Sequence, residues 1–268
     1  MKLKKRVGII GCGNMGGAIL AGLLKNRIVR PAQVTVYDKI LPKARAFAGR
    51  WKVKLAKSNA EVVSHSEIVV LAVKPQDLFE AAKEFQKAFT RRHLLITILA
   101  GTPVAKVRRA VGEAPGIVRA MPNLGAQVGE AITALSGNGK PTLKLAEAVF
   151  SGCGKTVRLS ERYFDLVTAI SGSGPAYFFL LMELLSKEAK THGLPEKVAR
   201  ELAVQTAVGA GLLAKNSSVG PDELRRQVTS KGGTTEAALR VFERKGLAGI
   251  VSKGLRAALK RGRELSRR

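Results

Sequence analysis

The sequence predicts an α/β fold over its first 160 residues, a doubly wound parallel sheet with helices on both faces, followed by an all-α second half. Three observations carry this. Short apolar runs alternate with helical patterns from Val7 to Arg158, the order that builds a parallel sheet with crossover helices. The turn Gly11-x-Gly13-x-x-Gly16 lies directly between the first apolar run and the first helical pattern. After about Glu161 strand patterns stop, and the remainder of the chain reads as helices separated by Gly, Pro or Asn-Ser. The expected division is residues 1–160 and 161–268.

In order, Val7–Ile10 reads as a strand, Met15–Lys25 as a helix, Val34–Tyr37 as a strand and Pro42–Arg50 as a helix. Val53–Leu55 is short and extended. Ile68–Val73 is an unbroken apolar run, as expected of a strand buried on both faces. Asp77–Phe89 is helical, Leu94–Leu99 a strand, and Pro103–Val111 a helix that its proline starts well. Ile117–Met121 and Ala131–Leu135 are strands, Leu143–Phe150 a helix and Lys155–Arg158 a last strand. The second half gives helices over Pro175–Thr191, Pro195–Lys215, Pro221–Val228, Thr234–Arg244 and Leu247–Leu265. Several are apolar on more than one side, as at Ala203, Val204, Ala207, Val208, Leu212 and Leu213, so they belong inside a bundle or against another subunit.

The glycine turn is the Rossmann-type dinucleotide fingerprint. Gly11 allows the tight turn, Gly13 lets the backbone approach a pyrophosphate, and Gly16 lets helix and strand pack closely. Ile10, Cys12, Asn14 and Met15 flank these glycines. Asp38 ends the second strand, where an acidic residue binds ribose hydroxyls and repels a 2′-phosphate. Lys39, Lys43 and Arg45 come next, and each favours that phosphate, so the sequence leaves NADPH or NADH open. Ala72-Val73-Lys74-Pro75 and Ile98-Leu-Ala100-Gly101 stand at the carboxyl ends of strands, where ligands bind in such sheets. Taken alone, Lys74 reads equally as a solvated loop lysine, and Met121-Pro-Asn123 as a rigid turn. Ser171-Gly-Ser-Gly-Pro-Ala-Tyr177 reads as a sharp turn into a helix.

In Val228-Thr-Ser-Lys-Gly-Gly-Thr-Thr-Glu-Ala-Ala-Leu239, Gly232 and Gly233 break one helical run, and Thr234, Thr235 and Glu236 open the next. The free N–H groups of such a start attract an anion, and the hydroxyls of Ser230 and Thr235 add directional hydrogen bonds. On this stretch alone a well-capped helix is the favoured explanation.

Composition narrows the classes further. Net charge is +26, and the basic residues are scattered without interleaved aromatics, zinc ligands or a basic region with heptads. A solvated basic surface is expected rather than a specific nucleic-acid site. The two cysteines, Cys12 and Cys153, fit neither a disulfide framework nor a metal cluster, which points to a reducing cytoplasm. No apolar run reaches the length that spans a bilayer, and the basic start before Val7 leads into a strand rather than a signal peptide. His65, His93 and His192 have no metal-spaced or nucleophile partner and are expected at helix ends and surface turns.

Three stretches together, Val228–Leu239, Ser171–Tyr177 and Gly11–Gly16, resemble pyrroline-5-carboxylate reductase, a proline-making family. The resemblance runs over nearly the whole chain, with the motifs in the expected order. It departs at Lys231, where many members carry proline. The resemblance implies an NAD(P)H-dependent reduction of 1-pyrroline-5-carboxylate to L-proline. It places the cofactor at Ile10, Gly11, Cys12, Gly13, Asn14, Met15, Asp38, Asn59, Ala72, Val73, Lys74, Pro75 and Ala100. It places the substrate carboxylate at the N–H groups of Gly233, Thr234 and Thr235, with Ser230 assisting, and Glu161 and Gln227 nearby. Thr235 is then the catalytic hydroxyl at the ring nitrogen. It also implies a dimerisation domain, a homodimer and assembly into a decamer. Related hydroxyacid dehydrogenases carry a catalytic Lys and an Asn where this chain has Phe178 and Met182, so the lysine needed for alcohol oxidation is missing. The competing readings are another imine or keto-acid reductase on this scaffold and, in a different class, a cofactor-binding regulatory or nucleic-acid-associated protein.

Overall fold

The computed structural model describes residues 2–137 and 139–267. By internal packing it divides into two compact units, Met1–Ser173 with Leu259–Arg268, and Gly174–Ala258.

The first unit is built on one eight-stranded sheet in the order β3-β2-β1-β4-β5-β6-β7-β8. The strands are β1 (Val7–Ile10), β2 (Val34–Tyr37), β3 (Lys54–Leu55), β4 (Ile68–Leu71), β5 (Leu94–Thr97), β6 (Gly116–Met121), β7 (Ala131–Gly137) and β8 (Gly154–Arg158). The helices are α1 (Asn14–Lys25), α2 (Leu41–Trp51), α3 (Asn59–Ser64), α4 (Leu78–Phe85), α5 (Val104–Val111), α6 (Lys140–Phe150) and α7 (Phe164–Val167). Every residue of β1, β4 and β5 is buried. Alternate side chains supply two cores, one on each face of the sheet. Val7, Ile9, Ile68 and Val70 join Ile19 and Leu23 of α1, Ala44 of α2 and Phe150 of α6. Ile10, Val69 and Leu71 join Val62 of α3, Leu78 and Phe85 of α4, and Val107 of α5. Continuous apolar strands are what two covered faces require.

The chain runs outward from β1 through β2 to β3, then returns to the other side of β1 at β4. That reversal is a topological switch point, and loops at the carboxyl ends of β1 and β4 diverge there to leave a crevice.

Several expectations are corrected. The sheet is not wholly parallel: β6 pairs β7 antiparallel, in the register Val118–Gly137 to Met121–Ala134. Residues 122–130 are too few for a crossover, which needs about a dozen residues or more. Helix α3 was not expected. Ser58 caps it by accepting the Glu61 N–H at 3.2 Å, and Glu61 in turn accepts the Lys57 N–H at 2.7 Å. His93 is not a surface residue. It is 3% exposed, its Nδ1 accepts the Thr90 N–H at 2.9 Å, and its ring meets Phe89 edge-on.

The Ser171–Tyr177 motif is also not a sharp turn. Thr168–Gly172 forms a π-helical segment, and Ser173 keeps right-handed angles of −86° and −20° into α8 (Gly174–Thr191). Pro175 is the second residue of α8 and follows directly on the π-helical segment. Glu161–Thr191 is therefore continuously helical, and by length and composition apolar enough to span a membrane, contrary to the expectation from the sequence.

The second unit contains α8, α9 (Glu196–Asn216), α10 (Pro221–Gln227), α11 (Thr234–Arg244) and the first part of α12 (Leu247–Arg267), whose end belongs to the first unit. Residues 192–195 join α8 to α9, and Ser186 donates to carbonyls of both Met182 and Ala199. Few side chains here are buried; Ala199 and Ala203 are. Phe178, Phe179, Leu180 and Leu181 of α8 and Leu212 and Leu213 of α9 are all exposed.

Candidate cofactor and substrate sites

At the switch point the Gly11–Gly16 loop folds by backbone contacts. The Gly11 N–H donates to the Tyr37 carbonyl at 2.8 Å, and the Ala72 N–H donates to the Ile10 carbonyl at 2.8 Å. Gly11 has φ of +104°, and a Cβ there would stand 2.6 Å from the Ala72 oxygen. At Gly16 a Cβ would stand 2.1 Å from the Gly11 oxygen, so that glycine is required by packing of helix on strand. Gly13 differs. It caps α1 with ordinary angles of −74° and −173°, and a Cβ would meet only the Lys43 Nζ, at 4.0 Å. Space is kept open over Gly13, in front of the first-turn N–H groups of Asn14 and Met15. That is the cradle a pyrophosphate needs.

The crevice beside this loop has a volume of about 340 Å³. Among the residues expected at the cofactor, Ile10, Gly11, Gly13, Asp38, Asn59, Ala72, Val73 and Lys74 line it. Cys12, Asn14, Met15, Pro75 and Ala100 do not line this cavity. Cys12 turns its thiol into the core, where burial pushes its pKa up to about 12, and it offers the loop only its backbone. Burial likewise raises Cys153 to about 11, so neither thiol is reactive near neutral pH. Met15 packs partly buried against the core, Asn14 is exposed, Pro75 begins a 3-10 turn, and Ala100 packs near Met121 and Phe164.

The Asp38 carboxylate is fixed from both sides, accepting the Cys12 N–H at 2.8 Å and the Ile40 N–H at 3.0 Å. Asn59 donates to Glu84 at 2.8 Å. Gln76, Asp77, Glu80 and Glu84 also line the crevice and were not singled out from the sequence. They read there as a loop and the polar side of a helix; only the position of α4 beside β4 turns them toward the crevice.

In the helical unit, Gly232 has φ of +73° and Gly233 is the N-cap of α11 with no side-chain cap. The helix start is therefore not satisfied by its own side chains in the way a well-capped helix would be. The Gly233 N–H donates to the Ser230 carbonyl at 3.1 Å. A Cβ on Gly233 would lie 2.4 Å from the Ser230 Oγ, which makes Gly233 the residue that lets Ser230 close over the helix start. The Gly232 N–H donates to the Glu236 carboxylate at 2.7 Å, and this bond holds Glu236 below its ordinary carboxylate range. Thr234 and Thr235, in the first turn, have no carbonyl four residues back within the helix to receive their N–H groups. Gln227 ends α10 and is exposed, as is Ser230, while Thr235 is half-buried.

Glu161 belongs to the other unit. It stands in the sheet unit, where it accepts the Val104 N–H at 2.7 Å and pairs with Arg119 at 3.0 Å. Arg119 is 3% exposed and its guanidinium stacks over Phe164 at 4.8 Å.

A doubly wound sheet, a glycine loop with open space before a helix start, and an acid at the end of β2 define a dinucleotide-dependent oxidoreductase. A family model described as "NADP oxidoreductase coenzyme F420-dependent" matches residues 6–101, and one described as "Pyrroline-5-carboxylate reductase dimerisation" matches residues 161–265. A pyrroline-5-carboxylate reductase of Pseudomonas aeruginosa is 37% identical over 97% of each chain. The solved pyrroline-5-carboxylate reductase of Coxiella burnetii superposes with a TM-score of 0.92 at 34% identity, covering 98% of this chain and 99% of that one. The Plasmodium falciparum structure, solved with NADP bound, gives 0.88 at 27%, covering 99% and 100%. The chain belongs to the pyrroline-5-carboxylate reductase family. The dimerisation match spans the exposed apolar helices, and the chain is a homo-oligomer.

Proposed function

We propose that this chain reduces 1-pyrroline-5-carboxylate to L-proline with NAD(P)H, the last step of proline biosynthesis. The observation that carries the reading is the open start of α11, which offers anion-binding N–H groups and a hydroxyl within one turn, on a chain whose other unit has the pyrophosphate cradle.

When bound, NAD(P)H supplies the hydride. The chain's own residues do the rest. The Thr234 and Thr235 N–H groups receive the substrate carboxylate at the positive end of α11, and the Ser230 hydroxyl donates a further bond. That fixes the flat ring by one edge. The Thr235 hydroxyl hydrogen-bonds the ring nitrogen and steadies the proton that becomes the amine N–H. A protonated C=N bond is already polarised, so orientation and one hydrogen bond suffice and no nucleophile is needed. Gln227 borders the same ligand. Glu161 acts by holding Arg119 and the start of α5 at the carboxyl edge of the sheet. Of the cofactor residues, Gly11, Gly13 and the N–H groups of Asn14 and Met15 serve the pyrophosphate. Asp38 and Asn59 serve the adenosine end, with Ala72, Val73, Lys74, Pro75 and Ala100 along the strand ends.

The functional division runs at residue 160, with 161–268 serving substrate binding and self-association. The working assembly is a homodimer, building further to a decamer, in the cytoplasm. It has no dedicated nucleic-acid or membrane partner: the +26 charge is a solvated surface that draws in anionic ligands. Purified protein should oxidise NADH or NADPH when 1-pyrroline-5-carboxylate is added and release L-proline in equal amount. Oxidation driven equally well by simple keto acids would favour the other reductase reading. Lack of any imine-dependent oxidation would remove the proposal.

A further inference from the structure

The nucleotide crevice is the reverse of the protein around it in charge. The chain carries +26, yet the crevice is lined by Asp38, Asp77, Glu80 and Glu84 against Lys39, Lys43 and Lys74, a net of −1 from four acids and three bases. We infer that this enzyme takes NADH in preference to NADPH, and that Asp38 is the residue that sets the choice. This rests on reading the crevice as the nucleotide site, not on the identity of the imine reduced.

The preference depends on which groups are free. Asp38 is held at the end of β2 by two backbone N–H donors, so its carboxylate cannot swing away from an incoming ribose. An ionised carboxylate only accepts hydrogen bonds. The 2′- and 3′-hydroxyls of NADH can donate to it. The 2′-phosphate of NADPH carries about −1.5 to −2 charges and offers acceptor oxygens, so at Asp38 it meets like charge and no donor.

Of the three cations that the sequence offered against this, two are paired with carboxylates and the third stands outside the crevice. Lys39 Nζ lies 3.1 Å from Asp77. Lys43 Nζ lies 3.8 Å from Asp38 itself. Arg45 does not line the crevice. Binding a 2′-phosphate would mean breaking one of these pairs and leaving a carboxylate facing the phosphate. Glu80, on the crevice wall, adds a further negative charge. Lys43 is half-exposed and movable, so the preference is finite.

The test is calorimetric titration of the full-length protein with NADH and with NADPH, alongside kcat/KM for each. The expected result is affinity tighter for NADH by on the order of ten-fold or more, with kcat/KM following. Asp38→Asn should narrow that ratio mainly by improving NADPH. Because Asp38 also braces the loop, Glu80→Gln provides a second variant that leaves the loop untouched; it should narrow the ratio in the same direction by a smaller factor. Lys43→Ala should widen it. Equal affinity, or tighter NADPH, in the unaltered protein overturns the inference while leaving the nucleotide site standing. Binding of neither nucleotide overturns both.

Discussion

Ile19 and Leu23 in α1 are wholly buried, whereas Phe178 in α8 and Leu213 in α9 are 64% and 65% exposed. The sheet unit closes two cores within itself, one on each face. The helical unit leaves its largest apolar side chains in water. Full burial of one such side chain stabilises by about 1.5–3 kcal/mol relative to exposure, so a surface carrying many of them represents a large free energy that only another molecule can recover. The comparison teaches that the two regions depend on different things. The sheet unit needs its glycines, and the helical unit needs its partner.

If so, each can be broken without the other. Gly13→Val should give the largest effect, loss of measurable nucleotide binding. In the free protein a Cβ at this position meets nothing closer than the Lys43 Nζ at 4.0 Å, so the fold and the oligomer should survive. Calorimetry and sedimentation together decide this; normal nucleotide affinity would refute the placement of the loop. The reciprocal change, Phe178→Asp with Leu181→Asp, puts two charges on the exposed apolar face of α8. It should convert the oligomer to monomer by sedimentation while nucleotide binding is retained. An unchanged oligomer would show that α8 is not at the interface.

Salt should act more gently and on binding rather than chemistry. Substrate and nucleotide are anions meeting a +26 protein, so KM for both should rise with ionic strength while kcat changes little. A flat KM would mean that the surface charge does not steer them. The smallest expected effect is on acid stability. Glu67 is held below its ordinary range chiefly by the Arg6 N–H, and Glu236 chiefly by the Gly232 N–H. Depressed carboxylates contribute their stabilisation fully above the unfolded value of 4.5, and it is lost as pH falls through the lower folded values. The melting temperature should therefore hold from neutral pH to about 5 and decline below it. Glu236→Gln should flatten that decline slightly, as read by a pH series of thermal melts.

Much of this was legible in the residues. Val7–Ile10 and Val34–Tyr37 are found as the strands expected, because an apolar run ending in a glycine turn or in Asp leaves little choice. Gly11, Gly13 and Gly16 lie where their spacing put them. Helix α3 was within reach too, since Ser58-Asn-Ala-Glu61 is a capping-box pattern. Other features were not. The direction of β7 depends on how far residues 122–130 can reach, and an apolar strand reads the same in either direction. The Ser171–Tyr177 stretch has the composition of a turn, and it is found as a π-helical segment leading into α8. Glu80 and Glu84 look like any solvated helix face until α4 is placed beside the crevice. The engagement of the Gly233 N–H by Ser230 is likewise a matter of turn geometry that no residue type announces.

The division of work is tested most directly at Thr235, whose hydroxyl is assigned to the reacting ring and to nothing in the sheet unit. For Thr235→Ala, kcat and the calorimetric affinity for NADH should be measured on the same preparation. One lost hydrogen bond of about 1.5–3 kcal/mol predicts a fall in kcat on the order of ten- to a hundred-fold, with NADH affinity and oligomeric state unchanged. Full turnover in the folded variant, or a loss of NADH affinity that matches the loss of rate, would contradict the account.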